Sequence, residues 1–268
     1  MEALERFSVH HFFDQCRNKI LFFQRNLFVS LIECQTMDYK NKIYDVLDHG
    51  EVELLDIMGN DLSVVNAAKV SFAAQVKEID ESSIGLINYL MKNKHATPFE
   101  HVIFKFRIKA PIFVTREWMR HRWSSFNEMS MRYHVPPVID YYIPANSNIR
   151  KQVGKPGAYT FEEIEDAELK SLVNRRMQEV IGYADLVYRD LLDLGVAKEI
   201  ARCVLPVSQY TEFIWTVNAR SLINFISLRN ESNAQYEIQQ YAVIVESFFA
   251  HILPICHDAF IKSDRSAI

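Results

Sequence analysis

The chain has 268 residues, 49% of them hydrophobic and 24% charged, and its 30 basic and 34 acidic side chains leave a net charge of −4. That length supports one or two domains with a sizeable core, and that composition excludes a disordered chain. The acidic balance argues against a surface devoted throughout to gripping nucleic acid.

Residues 1–38 are rich in Phe and lack capping signals. They read as an N-terminal extension, either an appended helix or two or a segment upstream of a start at Met37. Their apolar runs, Ile20–Phe23 and Leu27–Ile32, are interrupted by Gln24-Arg25-Asn26 and are too short to span a bilayer. The four cysteines, Cys16, Cys34, Cys203 and Cys256, are scattered without a C-x-x-C, which suits reduced thiols in the cytoplasm.

From Lys42 the signals sharpen. Lys42–Leu47 and Glu51–Met58 read as strands around a turn at Asp48-His49-Gly50. Asn60 or Asp61 can cap a helix to about Phe72, with Val64, Ala67, Ala68 and Val70 on its apolar side. Glu81–Lys92 is a second helix, its core contacts coming from Ile84, Leu86, Ile87, Tyr89 and Leu90. Val102, Phe104, Phe106 and Ile108 alternate with Lys105, Arg107 and Lys109, the pattern of a strand with one wet face. Pro111 suits the first turn of a helix running to about Arg120. Residues 134–157 hold four of the eight prolines and predict a long loop. Phe161–Leu194 reads as one long helix ended by Gly195, and Lys198–Leu205 as a short one. Phe213–Val217 suits strand or helix. Ala219–Leu228 and Asn233–Leu253 are helical, the latter stopped by Pro254. Strands early and helices late make an α+β arrangement, a mixed sheet with packed long helices.

Seven glycines, where average usage gives roughly 19, include no G-x-G-x-x-G and no G-x-x-x-x-G-K. A Rossmann fold and a P-loop are therefore disfavoured, and any phosphate must be held by side chains or helix ends. There is no G-x-S-x-G elbow and no H-E-x-x-H. His95 and His101 read as histidines flanking a turn, not as a metal pair.

The most informative segment is Arg116–Tyr133. Arg116, Arg120, His121, Arg122 and Arg132 are interleaved with Trp118, Trp123, Phe126 and Met129, and Ser124, Ser125, Asn127 and Ser130 add short donors. On a helix Arg116 and Arg120 would share a face. Charges ~6 Å apart repel by roughly 3 kcal/mol at an effective dielectric of ~20, and by under ~1 kcal/mol when fully solvated. The cluster is thus either a solvated patch or a half-buried pocket facing anions; the aromatic residues favour the pocket. Asn218, Arg220, Asn224 and Arg229 punctuate a second, mostly apolar run, Trp215–Leu228 and the residue after it. These are either ligand-binding groups or structural partners of Glu231 or Glu237. Arg-rich pockets with Ser and Asn suit phosphorylated, planar, nucleotide-like ligands.

These residues carry a family resemblance. Arg120-His121-Arg122, seven residues, then Ser130 resembles the R-H-R-x7-S signature of flavin-dependent thymidylate synthases, continuing through Asn127-Glu128 and Arg132-Tyr133. Matching stretches follow the family's order: Met58-Gly59-Asn60-Asp61, His95-x-Thr97-Pro98-Phe99-Glu100-His101, Ala201-Arg202-x-Val204-Leu205-Pro206, Trp215 to Ser221, and Ala234-Gln235.

The resemblance implies a ThyX-type fold that binds FAD without a Rossmann motif, with residues 39–268 as the catalytic domain. It implies conversion of dUMP to dTMP, with 5,10-methylenetetrahydrofolate as carbon donor, reduced FAD as hydride donor and NADPH reducing the flavin. It implies a homotetramer whose active sites are shared between subunits, and neither a metal, a nucleic acid nor a membrane. Residue by residue, Thr97, Arg120, His121, Arg122, Glu128, Asn218, Arg220 and Asn224, with Ser71, fall on flavin-contacting positions. Glu117, Arg120, Glu128, Ser130, Met131, Arg132 and Arg202 fall on dUMP positions, Ser130 to Arg132 at the phosphate. Arg229 falls on the residue that faces and activates the uracil, and His95 near the flavin where folate and nicotinamide approach. Three positions depart from the pattern. Glu117 stands where Gln is common, so its carboxylate needs Arg116 or Arg120 as a partner. Met131 stands where a small residue is common, and Asn233 replaces a frequent His.

Overall fold

The computed structural model describes residues 6–7, 40–155 and 158–268. Apart from Arg6–Phe7, which form a short strand β1, the extension expected over residues 1–38 lies outside the described residues. The chain divides into two compact units, the first holding residues up to Ala110, Val114–Glu128 and Glu212–Ile268, the second Pro111–Phe113 and Met129–Thr211.

In the first unit, β2 (Ile43–Val46) pairs antiparallel with β3 (Gly50–Met58), so the expected turn sits one residue earlier, at 47–49. Gly50 is required by space. A Cβ there would sit 2.0 Å from the Tyr241 hydroxyl and 2.6 Å from the Val46 carbonyl oxygen. The hydroxyl is not free to swing away, because it donates to the Lys109 carbonyl at 2.8 Å. Gly50→Ala is therefore expected to cost about 1–3 kcal/mol of stability. The check is a lower urea midpoint at unchanged slope, partly restored by Tyr241→Phe in the same chain.

β3 pairs antiparallel with β4 (Ile103–Pro111), placing Val52 opposite Ile108 and Leu54 opposite Phe106. The predicted alternation holds: Val102, Phe104, Phe106 and Ile108 are all fully buried. Beyond β4 lie β8 (Tyr210–Asn218) and β5 (Ser124–Glu128), giving the sheet order β1-β2-β3-β4-β8-β5. Strand, not helix, is thus the state of the segment around Phe213–Val217, and the mixed helix-and-sheet architecture agrees with the α+β expectation.

Helix α1 (Asp61–Lys69) is capped by Asn60 and gives way to a 3-10 turn, Val70–Phe72. That tightening rotates Val70 and Phe72 out to solvent, so Val70 is not the core contact its spacing suggests. Helix α2 (Glu81–Lys92) has the predicted bounds, but Ser83, Ile87, Leu90 and Met91 face the core and Tyr89 does not. A 3-10 turn, Thr97–His101, packs against α1 and against α6 (Ala219–Arg229). Helix α7 spans Tyr236–Ile252, three residues shorter at its start than expected. Pro254 does not close the helical region. It opens α8 (Pro254–Lys262), where its missing N–H costs nothing. The buried Asp61 carboxylate, reaching over from α1, accepts from the Ile255 and Cys256 N–H groups at the start of α8 at 3.2 and 3.0 Å. Among the described residues no single helix is long and apolar enough to cross a membrane.

Pro111 ends β4 instead of opening a helix, and α3 (Ile112–Trp118) stops two residues before Arg120. Trp118 is the reason. Its indole is wholly buried against Trp215 and Phe225 at centroid distances of 5.2 and 4.9 Å, which anchors the helix end in the core.

The second unit corrects two expectations. Residues 134–157 are not all loop, and Phe161–Leu194 is not one helix. β6 (Arg150–Lys155) and β7 (Ala158–Glu163) form a hairpin with Gln152 opposite Phe161. The run Tyr159-Thr160-Phe161 favours strand, and helix begins only after Asp166, whose side chain accepts from Glu168 and Leu169 N–H. α4 then runs Ala167–Asp193, followed by α5 (Lys198–Ala201) and a 3-10 turn, Arg202–Val204. Met131, Ile139, Tyr188 and Ala201 make the core of this unit.

Candidate active site

The helix end at Trp118 sets the geometry of the first unit. Past it the chain winds down through tight turns, with Met119 N–H to Thr115 O at 2.9 Å and His121 N–H to Trp118 O at 3.0 Å. It then enters β5, where Ser124 pairs with Val217. Arg116 and Arg120 therefore do not share a helical face. Both are exposed, as is Arg122.

Arg229, the last residue of α6, reaches this turn. Its Nη1 donates to Glu117 Oε2 at 2.8 Å, its Nη2 to the Glu117 carbonyl at 3.2 Å, and its Nε to His121 Nε2 at 3.1 Å. Glu117 is thus paired with Arg229, not with Arg116 or Arg120 as the sequence suggests. The partner of Arg229 is likewise neither Glu231 nor Glu237.

His121 is neutral in this setting. Burial, and after it the charge on Arg229, lower its pKa from 6.5 to about 4. A neutral imidazole whose Nε2 accepts must carry its proton on Nδ1. Its ring packs edge-on against Phe225 at 5.0 Å. Linkage fixes the sign of a pH effect. Between pH 6.5 and about 4 the unfolded chain takes up a proton that the folded chain refuses, so this residue makes stability fall as the pH drops through that window. His121→Asn is expected to flatten that part of the thermal-midpoint curve relative to the parent.

The start of α6 holds the second group. Asn218 caps the helix, accepting from Ser221 N–H at 2.9 Å. Arg220 donates to Glu100 at 2.6 Å and stacks over the Trp123 ring at 5.0 Å. Trp123 is 69% exposed, so its other face is open. Asn224 lies one turn on. No acidic residue occupies the first turn of α6, so the positive end of the helix dipole and Arg220 act together on any anion there. Of the remaining candidates in this unit, Ser71 is exposed between Val70 and Phe72, Thr97 opens the 3-10 turn, Glu128 ends β5, and exposed His95 lies edge-on to Tyr89 at 5.6 Å. Glu100 and Trp123 are members of this group to which the sequence assigned no contact role, Trp123 being read only as a pocket-wall aromatic. Glu100 stood inside a quoted motif, and Trp123 directly follows Arg122.

In the second unit, Ser130, Met131 and Arg132 form a turn, with Arg132 N–H to Ser130 Oγ at 3.4 Å. The Met131 side chain is buried and meets Gln209 Nε2 at 2.5 Å, so only its main chain can meet a ligand. The exposed Arg132 pairs with Glu199 at 3.3 Å, and Arg202 is exposed on its 3-10 turn.

The family model described as thymidylate synthase complementing protein matches residues 53–255. The flavin-dependent thymidylate synthase of Thermosipho africanus is 46% identical over 82% of this chain and 94% of its own length. The chain belongs to the flavin-dependent thymidylate synthases. The Thermus thermophilus member of that family is 42% identical over 80% of this chain and 77% of its own. Among solved structures, the UMP/dUMP methylase PolB of Streptomyces cacaoi bound with 5-Br dUMP is 38% identical. It superposes with a TM-score of 0.75 over 84% of this chain and all of its own. The mixed helix-and-sheet fold of this chain is thus similar to that of the PolB methylase over most of its length.

Proposed function

We propose that this chain is itself a flavin-dependent thymidylate synthase that methylates dUMP at C5 to give dTMP. On this reading 5,10-methylenetetrahydrofolate is the carbon donor, FAD the resident cofactor and NADPH the reductant. The observation that carries it is the fork of Arg229. Of the five guanidinium N–H groups, three are engaged by Glu117 and His121, which leaves one on each Nη. Donors left there suit a uracil carbonyl oxygen, where negative charge on the ring collects, and suit N3 only once its own proton is gone. Negative charge favoured on that ring makes C5 nucleophilic. Arg stays protonated, so Arg229 stabilises the charge and is not a general base. Each charge-assisted bond contributes roughly 1.5–3 kcal/mol, and more toward an anion that develops in a dry site.

FAD, when bound, supplies the hydride that takes the transferred carbon to a methyl group. The residues that would hold it are Thr97, Arg120, His121, Arg122, Glu128, Asn218, Arg220 and Asn224, with Ser71. They fit such a group: a helix N-terminus, guanidinium groups and an open indole suit a planar, diphosphate-bearing molecule without a Rossmann turn. On this reading the dUMP phosphate falls to Ser130, Arg132 and the Met131 main chain, with Arg202 a further dUMP contact. Arg132 gives up only an exposed pair with Glu199 to take it, a contact of about 0–1 kcal/mol.

The assembly proposed is a homotetramer with sites shared between subunits. Support comes from Val70 and Phe72, 74% and 83% exposed on either side of Ser71. Residues 39–268 form the catalytic domain in this proposal, and a cytoplasmic location with reduced thiols completes it.

The test is dTMP formation from dUMP, methylenetetrahydrofolate, NADPH and FAD, each omitted in turn. Product that needs all four is expected. A flavin that NADPH bleaches without product would overturn the substrate assignment. The likeness to PolB, described as a UMP/dUMP methylase, favours a second reading in which UMP is also accepted. The same assay with UMP decides it.

A further inference from the structure

Glu246, on α7, is a charged group that the proposed chemistry does not use. It is 8% exposed, and an ionised carboxylate is costly to bury. Four donors fill its two oxygens. Oε1 accepts from His257 Nε2 at 3.0 Å and from Arg265 Nη1 at 2.7 Å. Oε2 accepts from Asn230 Nδ2 at 2.5 Å and from Arg265 Nη2. Burial alone would raise this carboxyl; the bonds from His257, Arg265 and Asn230 outweigh it and bring the pKa down to about 2. Ionised, the group can only accept, so His257 must carry its proton on Nε2.

Buried ionic clusters stabilise a fold no better than apolar side chains of the same volume. Such a cluster does fix positions, and the origin of its donors shows what is fixed. His257 comes from α8. Arg265 comes from the segment after α8, which turns back through two successive residues in the left-handed region, Asp264 at φ 53° and Arg265 at φ 54°. Residues other than glycine seldom adopt that conformation, and here it brings the guanidinium onto Glu246. Asn230 comes from the end of α6. Its N–H bonds to the Ile226 carbonyl at 2.9 Å as the helix cap, and the residue before it is Arg229.

We propose that Glu246, clamped by Arg265 and acting through Asn230, is a positioning residue for the Arg229 fork. The cluster holds the last turn of α6, while Glu117 and His121 hold the tip of the side chain. Backbone and guanidinium are then fixed from opposite ends. The inference rests on the reading of Arg229 as the uracil-facing group.

Asn230→Ala tests it, because it cuts the link to α6 and leaves Glu246 its Arg and His partners. The expected result is a kcat lower by ~10–100-fold, with the KM for dUMP within ~2-fold of the parent and flavin binding unchanged. In an Arg229→Lys background the same change should cost less than ~3-fold, since the fork it positions is already gone. Arg265→Lys should keep more activity than Arg265→Met, and it carries the test if Asn230→Ala fails to fold. A purely structural cluster predicts otherwise: a lower melting temperature with kcat at 25 °C unchanged, or the same fold-loss in both backgrounds. Either outcome overturns the proposal. A parent enzyme that makes no dTMP removes the functional reading and this inference together. A parent that turns over beside an undiminished Asn230→Ala removes this inference alone.

Discussion

Arg229→Ala is expected to abolish measurable dTMP formation while the protein folds and retains FAD. Two losses combine. The first is the pair of N–H groups left for the uracil, worth about 3–6 kcal/mol together at ~1.5–3 kcal/mol each. At 1.36 kcal/mol per decade that is a loss of ~10²–10⁴-fold. The second is the carboxylate left behind. Glu117, whose guanidinium partner lay 2.8 Å away, would face the reaction unneutralised and repel the charge developing on the ring. The two losses are separable. Arg229→Ala with Glu117→Gln should recover part of the rate, although it lacks both native groups. Arg229→Lys should fall between the parent and the alanine variant, because it keeps the charge and loses the planar fork. Single-turnover measurement of dTMP, with bound flavin followed by absorbance, reads all of these. A near-parental rate for Arg229→Ala would end its assignment.

How much of this could be read from the sequence depends on where the deciding force acts. Short-range patterns were enough for the β2–β3 turn to within one residue, the alternation of β4 and both bounds of α2, since there the side-chain period and the caps agree with the fold. They failed where a distant partner decides. Phe161–Glu163 read as the first turn of the long helix, but they continue the strand-favouring run Tyr159-Thr160-Phe161 and pair with Arg150–Gln152 across the hairpin. Arg120 continues a helix pattern and leaves it because Trp118 is drawn into the core and Ser124–Glu128 pair with β8. The site divides the same way. Residue types and their order marked Arg120 to Arg122, Ser130, Arg220 and Arg229 as a set. Which cation meets which anion could not be read, since Glu117 with Arg229 and Glu100 with Arg220 are separated by over a hundred residues. Nor could the neutral state of His121, which comes from burial and the nearby guanidinium and not from any motif.

Glu117 is the departure from the family pattern with the largest consequence. A carboxylate at a uracil-activating arginine has two opposed effects. It fixes Nη1, which favours turnover, and it offsets the positive charge offered to the ring, which opposes it. Substitution separates the two. Glu117→Gln keeps an oxygen that can accept from Nη1 and removes the charge. Glu117→Ala removes both and leaves Arg229 held only by His121 and the Glu117 carbonyl. If position dominates, Glu117→Gln retains the parental kcat or exceeds it, while Glu117→Ala falls by ~10–100-fold as the fork becomes free to move. The pair is half-buried, so its charge term is not fully screened. Glu117→Gln is accordingly also expected to bind dUMP more tightly, the substrate being an anion. The reverse pattern, an equal loss of kcat in both variants, would mean that the carboxylate's charge is itself required, and would move Glu117 from holding Arg229 to direct contact with the substrate. Steady-state kcat and KM for dUMP, measured on FAD-saturated protein, distinguish the two.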